Sequence, residues 1–316
     1  MAGPGHERSG TLTIVGDVRL DIRSMLPAGA LADTAADTDL FAPMTLTVAG
    51  TAANLASFAV QHFAQVNVIA GVGDDFATAG IRDHLQRLGV GQHLFGKPGH
   101  ANATTVILRM GDGARVMVSS DPSPNHLLSV EDIDTVAAVL AASDLVFTEG
   151  HFLRGAASRP AVHHLVDVCA GLGVPVCFDL VPHDLAGFVP LAELAPLLAR
   201  CSVAIASAQT AAALLGRPGA ERQDDGFAWW AAEQLTRVVG ADTTWLIRWG
   251  PTNIEQVVSS RPGAAPRAYA TGYELAAEKT AYGDRVAAAE LWCWLNKVDL
   301  DAAMLGHAGG ARGQDG

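Results

Sequence analysis

Short apolar runs rich in β-branched residues recur along this chain, and most are followed by a stretch whose apolar residues fall at helical spacing. Thr11 to Val15, Thr45 to Val48, Val66 to Val72, Leu145 to Thr148, Val174 to Phe178, Val203 to Ala206 and Thr244 to Arg248 read as strands. Helical patterns lie over Leu55 to Phe63, Thr78 to Leu88, Val130 to Ala142, Pro160 to Leu172, Leu191 to Cys201, Thr210 to Leu215 and Phe227 to Val239. Strands alternating with helices over most of the length predict a mostly parallel sheet covered on both faces. The alternation is broken once, where Thr104 to Arg109 and Arg115 to Ser119 flank Gly111-Asp112-Gly113 as a hairpin. That hairpin, with residues around 19 to 49, is assigned to a small β appendage. No internal repeat is visible, and 316 residues suit one large domain with such an appendage.

The formal net charge of -12 argues against nucleic acid, whose phosphates are bound by clustered Lys and Arg, and no basic run occurs. Cys169, Cys177, Cys201 and Cys293 show no C-x-x-C spacing and sit among apolar residues, so they read as reduced core thiols in a cytoplasmic protein. No run is long enough to span a bilayer, and Met1 to Gly10 lacks the apolar region of a secretory signal. Residues 10–311 are expected to form the domain, with 1–9 and 312–316 as flexible tails.

Polar turns follow the strands. Gly16-Asp17 ends the first run, and Asp21 follows four residues later. Open α/β sheets bind ligands past their strand ends, so both carboxylates are ligand candidates; a solvated turn is the other reading of Asp21. Gly50-Thr51-Ala52-Ala53-Asn54 opens a helix with small residues that permit close approach, and Asn54 offers a donor and an acceptor for a hydroxyl. Near the C-terminus, Glu278-Lys279-Thr280-Ala281-Tyr282-Gly283-Asp284 precedes the apolar run Arg285 to Leu295. Amides at such a helix start attract an anion, Gly283 lets the backbone come close, and Asp284 stands in the first turn. An anion cradle beside a carboxylate suits phosphoryl transfer, although an ordinary helix start has the same appearance.

Taken together, these motifs resemble those of ribokinase-like sugar kinases, the phosphofructokinase B family, in their order along the chain. The set comprises Gly16-Asp17 with Asp21, Gly50 to Asn54, Val72-Gly73-Asp74-Asp75, Leu88-Gly89-Val90, Phe178-Asp179, Trp249-Gly250 and Tyr282-Gly283-Asp284. The resemblance covers roughly residues 11 to 311. It implies a three-layer α/β/α ribokinase-like fold with a central mostly parallel sheet and a small β lid, formed by about 19–49 and 100–120. It also implies ATP-dependent transfer of the γ-phosphoryl group to a sugar or nucleoside hydroxyl, with Mg²⁺. By the same resemblance Asp284 is the base, and Ala281, Tyr282 and Gly283 supply the anion-hole amides. Asp21, Gly50 and Asn54, with Asp17, hold the acceptor. Gly250, Lys279, Arg248, Ser207 and Asp179 fall on the nucleotide side, and no metal ligand is assigned.

The chain departs from that pattern in several places. The family's glycine-alanine-glycine-aspartate turn is Ala281-Tyr282-Gly283-Asp284 here, so Tyr282 must find room for a ring. Lys279 adds a cation near the phosphates. The asparagine and glutamate that organise Mg²⁺ in relatives fall near Ser207 and Thr210, where no carboxylate stands. A threonine is replaced in Arg248-Trp249, and His183 stands where arginine is common. A working kinase is therefore the first reading, and a sugar- or nucleoside-binding homologue with impaired transfer the second. A Rossmann dehydrogenase is disfavoured because the first turn, Gly16-Asp17-Val18-Arg19, has one glycine. The adjacent His163-His164 point in different directions on a helix and make no metal pair. Trp229, Trp230, Trp292 and Trp294 read as core or interface residues, while the Trp249 ring is placed to meet an adenine or to pack. The lid's apolar strands invite a homodimer.

Overall fold

The computed structural model describes residues 7–30, 39–111, 115–222, 226–240, 242–250, 256–271 and 281–300. The chain opens with β1 (Thr11–Val15), β2 (Arg19–Leu26) and β3 (Met44–Ala49), followed by α1 (Thr51–Ala59), β4 (Gln65–Val72) and α2 (Ala77–Leu88). Next come β5 (Gly91–Gly96), the strand pair β6 (Thr104–Met110) and β7 (Arg115–Ser119), then α3 (Val130–Thr135) and α4 (Ala137–Ala141). From β8 (Leu145–Glu149) the alternation is regular through α5 (Ser158–Leu172), β9 (Val176–Asp179), α6 (Leu191–Leu198), β10 (Val203–Ser207), α7 (Ala208–Leu214), α8 (Phe227–Val239) and β11 (Thr244–Trp249). The strands β12 (Gln256–Ser260) and β13 (Arg267–Ala270) precede the last long helix, α9 (Tyr282–Asn296).

The main sheet runs β13-β12-β11-β10-β9-β8-β1-β4-β5 and is parallel from β5 to β11, with β12 and β13 antiparallel at one edge. Period two in these strands sends alternate residues to two separate cores. Val15, Val146, Phe178, Ala204 and Ile247 pack with Ile133, Leu165, Leu194, Ala211 and Leu235 of α3 to α8. Leu12, Ile14, Phe147, Cys177, Ile205 and Leu246 pack with Leu55 of α1, Ile81 of α2 and Leu291 of α9. Three layers result, as the strand and helix alternation requires. Burying each such side chain contributes about 1.5–3 kcal/mol, so the two cores together outweigh any single polar contact at the strand ends.

The second sheet, ordered β3-β2-β6-β7, gathers strands from residues 19–49 and 104–119. Several local expectations are corrected. Asp21 lies within β2 rather than in a loop. The helix expected over Val130 to Ala142 is broken at Val136, whose φ of -107° and ψ of 11° interrupt it. The edge strand β5 and the strand β12 next to the other edge carry no long unbroken apolar run, which is why their periodicity did not show. The expected loose N-terminus is tied down at Arg8 and Ser9: Ser9 N donates to the His62 carbonyl at 3.2 Å and its hydroxyl to Asn296 Oδ1 at 2.8 Å. The turn at 112–114 and the segment 301–316 lie outside the described residues. Among the described residues no helix is long and apolar enough to cross a membrane, and all four cysteines are buried and free.

Gly50 fixes how the second sheet joins the first. It precedes α1 with φ 91° and ψ 157°, and a Cβ there would overlap the carbonyl oxygen of Asp17. Both the left-sided φ and the contact restrict the position to glycine. Gly50→Ala should therefore lower stability by more than about 1 kcal/mol, read as a reduced urea midpoint with unchanged m-value; an unchanged midpoint would show that the turn can relax.

Candidate active site

Parallel pairing aligns the ends of neighbouring strands, and here each end delivers a polar side chain. Glu149 is the register partner of Asp179, and Ser207 that of Arg248. By the two-residue alternation all four lie on the face covered by α1 and α9. Arg248 is the hub. Its Nη2 donates to Glu290 Oε2 of α9 at 2.8 Å, and its Nη1 stands 3.9 Å from Asp179 Oδ2. Glu290 is fully buried and its Oε1 has no partner. Burial works against the Arg248 charge, but Glu290 and Asp179 outweigh it and hold the guanidinium charged.

Beside this pair lies the start of α9. Ala281, in the N-cap position, takes the left-handed conformation with φ 64° and ψ 11°. The sequence therefore keeps a glycine-like turn with a residue that carries a methyl group. The ring of Tyr282 is buried in the core with Val286 and Ala287, so it does not occupy the space before the helix end. Gly283 lies against Arg248: a Cβ there would stand 3.2 Å from Nη1. The 15-residue helix thus presents its positive end with Asp284 in its first turn.

The carboxyl of Asp284 is pushed up to about 7, first by burial and then by the charges of Asp179 and Glu149. Arg248 and a side-chain hydrogen bond with Asn54 of α1 pull it partly back. Asp179 is likewise raised to about 7 by burial, against the pull of Arg248. Burial and the neighbouring Asp17 also raise Glu149. These carboxyls share one low-dielectric region, so their protons are linked.

On the other side, Glu149 Oε1 accepts the Asp17 backbone N–H at 2.6 Å, and its side chain also bonds that of Thr51 at the start of α1. Glu149 Oε2 has no partner. Asp17 is 3% exposed; its Oδ1 accepts from Asn125 Nδ2 at 2.6 Å, and its Oδ2 pairs with Arg19. Arg19 Nη1 continues to Thr105 Oγ1 at 2.8 Å, linking the main sheet to the second one. Asp21 pairs with Arg23 at 3.0 Å on that same side of the second sheet. A cavity of about 750 Å³ opens there, lined by Arg19, Met117, Ser119, His151, Arg154 and Arg159 among others.

Of the residues singled out in the sequence, Asn54, Asp179, Arg248, Gly283 and Asp284 are brought together. Asp17 is nearby, with both carboxylate oxygens already engaged. Ser207 caps α7 by accepting from Thr210 N at 3.1 Å; His183 Nδ1 stands 3.1 Å from its hydroxyl and 3.2 Å from that of Thr210. Gly250 follows β11 with φ 121°. Arg248, expected as a cation for phosphate, is 6% exposed and committed to two carboxylates. Glu278, Lys279 and Thr280 lie outside the described residues. Sequence reasoning missed Glu149, Glu290 and Asn125. Glu149 ends its apolar run as Asp179 does, a signal that was available; Glu290 shows only as an acid inside an apolar helical stretch, and Asn125 gives no local sign.

A left-handed Ala costs about 1–2 kcal/mol, while a glycine there loses about 0.4–1 kcal/mol through the unfolded chain. Ala281→Gly should accordingly stabilise the fold by up to about 1 kcal/mol, measured as a raised melting temperature. A fall in melting temperature would mean that the turn is not left-handed.

Comparison with known proteins places this geometry. Solved structures that match over nearly the whole chain include the adenosine kinase from Sinorhizobium meliloti, with TM-score 0.77, 20% identity and coverage of 98% of this chain and 95% of that one. The adenosine kinase from Anopheles gambiae in complex with P1,P4-di(adenosine-5) tetraphosphate matches with TM-score 0.75 and 15% identity, covering 97% and 95%. The ribokinase from Arabidopsis thaliana complexed with ribose and ATP matches with TM-score 0.71 and 14% identity, covering 94% and 89%. At these identities they establish the fold. No curated protein sequence matches the chain. The model of the pfkB family carbohydrate kinases matches residues 25–239, about two thirds of the sequence, and on that match the chain belongs to the pfkB family of carbohydrate kinases.

Proposed function

We propose that the protein transfers the γ-phosphoryl group of ATP to a hydroxyl of a sugar or nucleoside. The observation that carries this is Asp284, its carboxyl raised to about 7 in the first turn of α9 and bonded with Asn54, beside the left-handed turn at Ala281 that opens the helix. In this reading Asp284 takes the proton of the acceptor hydroxyl, whose oxygen then bonds to the γ-phosphorus as the bond to the bridging oxygen of ADP breaks. Amides of Ala281, Tyr282 and Gly283 and the helix dipole meet the charge on the moving phosphoryl group. Asn54, Gly50 and Asp21 position the acceptor, with Asp17 shaping the site through Arg19. Gly250, Lys279 and Ser207 border the nucleotide, and Arg248 and Asp179 set the electrostatics of the base. Use of ATP is supported by relatives of the same fold, one of them solved with ribose and ATP.

The end of β10 does not fit a dedicated Mg²⁺ site. Ser207 and Thr210 offer hydroxyls bonded to each other and to His183, and no group of three or more His, Cys, Asp or Glu is arranged for a metal among the described residues. Mg²⁺ would enter on nucleotide phosphates and water, so no protein ligand is assigned. The same observation favours a second reading, a sugar- or nucleoside-binding homologue with slow transfer. The free, buried cysteines support a reducing, cytosolic setting.

The experiment is an ADP-release assay over sugars and nucleosides with Mg-ATP. Asp284→Asn should abolish turnover with the melting transition intact; an undiminished rate would remove Asp284 as the base. A base must be deprotonated to act, so kcat/KM should rise with pH with an apparent pKa near 7. Asp179→Asn removes a neighbouring negative charge and should move that limb to lower pH; a limb that stays put would sever the coupling.

Self-association through the second sheet belongs to the same proposal. Leu20, Ile22, Leu46, Val48, Val106, Leu108, Val116 and Val118 share the face turned away from the cavity; Leu46 is 60% and Val118 61% exposed. An apolar face of this kind invites a second copy. Light scattering should give a dimer that Leu46→Lys with Val118→Lys converts to a monomer; a wild-type monomer at micromolar concentration would refute it.

A further inference from the structure

The cavity beside the carboxylate cluster is lined by three arginines in a chain that is acidic as a whole. Across the whole chain acidic residues exceed Lys and Arg by 33 to 21. Around the cavity that excess is absent: Arg19 is paired with Asp17 and Arg154 with Asp184, which leaves Arg159 and Asp121. Three guanidinium groups, which only donate, line it with two imidazoles (His126 and His151) and the hydroxyls of Ser119, Ser120 and Ser123, which both donate and accept, and two aspartates, of which Asp184 is engaged by Arg154. A neutral sugar needs donors and acceptors in comparable numbers, whereas a phosphate monoester or carboxylate needs donors.

The arginines are held in place. Arg154 Nη2 bonds both oxygens of Asp184, at 2.7 and 2.5 Å, and its guanidinium lies 4.4 Å over the Phe188 ring. Arg159 Nε donates to the Leu153 carbonyl at 2.9 Å, and no carboxylate lies within ion-pair distance of it among the described residues. It sits in the first turn of α5, a helix with no side-chain cap, so the helix dipole adds to its charge. Burial keeps His126 and His151 below their ordinary pKa, so they act as neutral hydrogen-bonding groups; Asp17, Asp121 and Asp184 oppose that lowering, and Arg19 and Arg154 reinforce it.

From Arg159, a cation of the cavity wall with no carboxylate partner among the described residues, standing beside Arg154, we infer that the acceptor carries an anionic group, a phosphate monoester or a carboxylate, and that Arg159 with Arg154 binds it while a hydroxyl of the same molecule reaches Asp284. The inference rests on the kinase reading for its second half only. Arg19 stands between the two regions, lining the cavity and pairing with Asp17, whose other oxygen accepts from Asn125. The volume of about 750 Å³ is toward the upper end of the roughly 300–1,000 Å³ of small-molecule sites, which leaves room for a ligand with a charged substituent.

The test compares ribose, ribose 5-phosphate, ribonate and inorganic phosphate by calorimetry and in the ADP-release assay, on the wild-type chain and on Arg159→Gln and Arg154→Gln. At least one charged form should bind tenfold or more tightly than ribose, and Arg159→Gln should erase that preference while leaving ATP binding unchanged. Preference for the phosphate or for ribonate tells which anion is read. Charged-ligand binding that depends on Arg159 without turnover on any acceptor would uphold the anion site and sink the kinase reading. Equal binding of ribose, a preference that survives both substitutions, or inorganic phosphate binding as tightly as ribose 5-phosphate would overturn the inference.

Discussion

One buried cation organises the strand ends. Arg248 leaves the last parallel strand and meets Glu290 of α9 and Asp179 of β9, all three with 6% exposure or less. Removing one member of such a group leaves a charge in a low-dielectric interior, at a cost of about 3–5 kcal/mol. The arrangement therefore locks α9 against the sheet. Glu290 lies about two turns into α9 while the other guanidinium nitrogen stands against Gly283, so the contact spans the first turns of the helix and sets where Gly283 and Asp284 stand.

The same cluster sets the chemistry of Asp284. With the partial burial of Asp284 and Asp179 and Glu149 as neighbours, its carboxyl is pushed up to about 7, and Arg248 and Asn54 oppose the rise. A carboxyl poised there can take a proton near neutrality far better than an exposed one, which would hold its proton weakly. Stability and proton affinity thus come from one set of contacts. Altering Arg248 or Asp179 changes both.

A second chain of contacts runs from Glu149 through Asp17 to Arg19 and Thr105, and ties the four-stranded sheet to the main one. Gly50 closes over the Asp17 carbonyl at the same junction. The side of the small sheet that carries Arg19 and Asp21 consequently faces the cavity, while its apolar side faces outward. The two sides ask for different partners, an acceptor molecule on one and a second protein surface on the other.

Much of this was readable in the sequence, because local pattern is enough to fix it. Period-two runs and helical spacing gave the alternation of strands and helices that builds a covered parallel sheet, glycine at 50 marked a helix mouth open to close approach, and Gly283-Asp284 marked the helix start. What the tertiary structure decided were the pairings between residues far apart in the chain: Arg248 with Glu290, Glu149 with the Asp17 amide, Asn125 with Asp17. No local pattern encodes them, since each depends on which strand ends the parallel register brings side by side. The ring of Tyr282 shows the same limit. Sequence alone places a bulky residue at an anion-binding turn, and only the packing of α9 against the sheet turns that ring into the core and leaves the helix end open. The grouping of Arg19, Arg154 and Arg159 around one cavity is likewise a property of segments separated by more than a hundred residues, invisible until the fold assembles them.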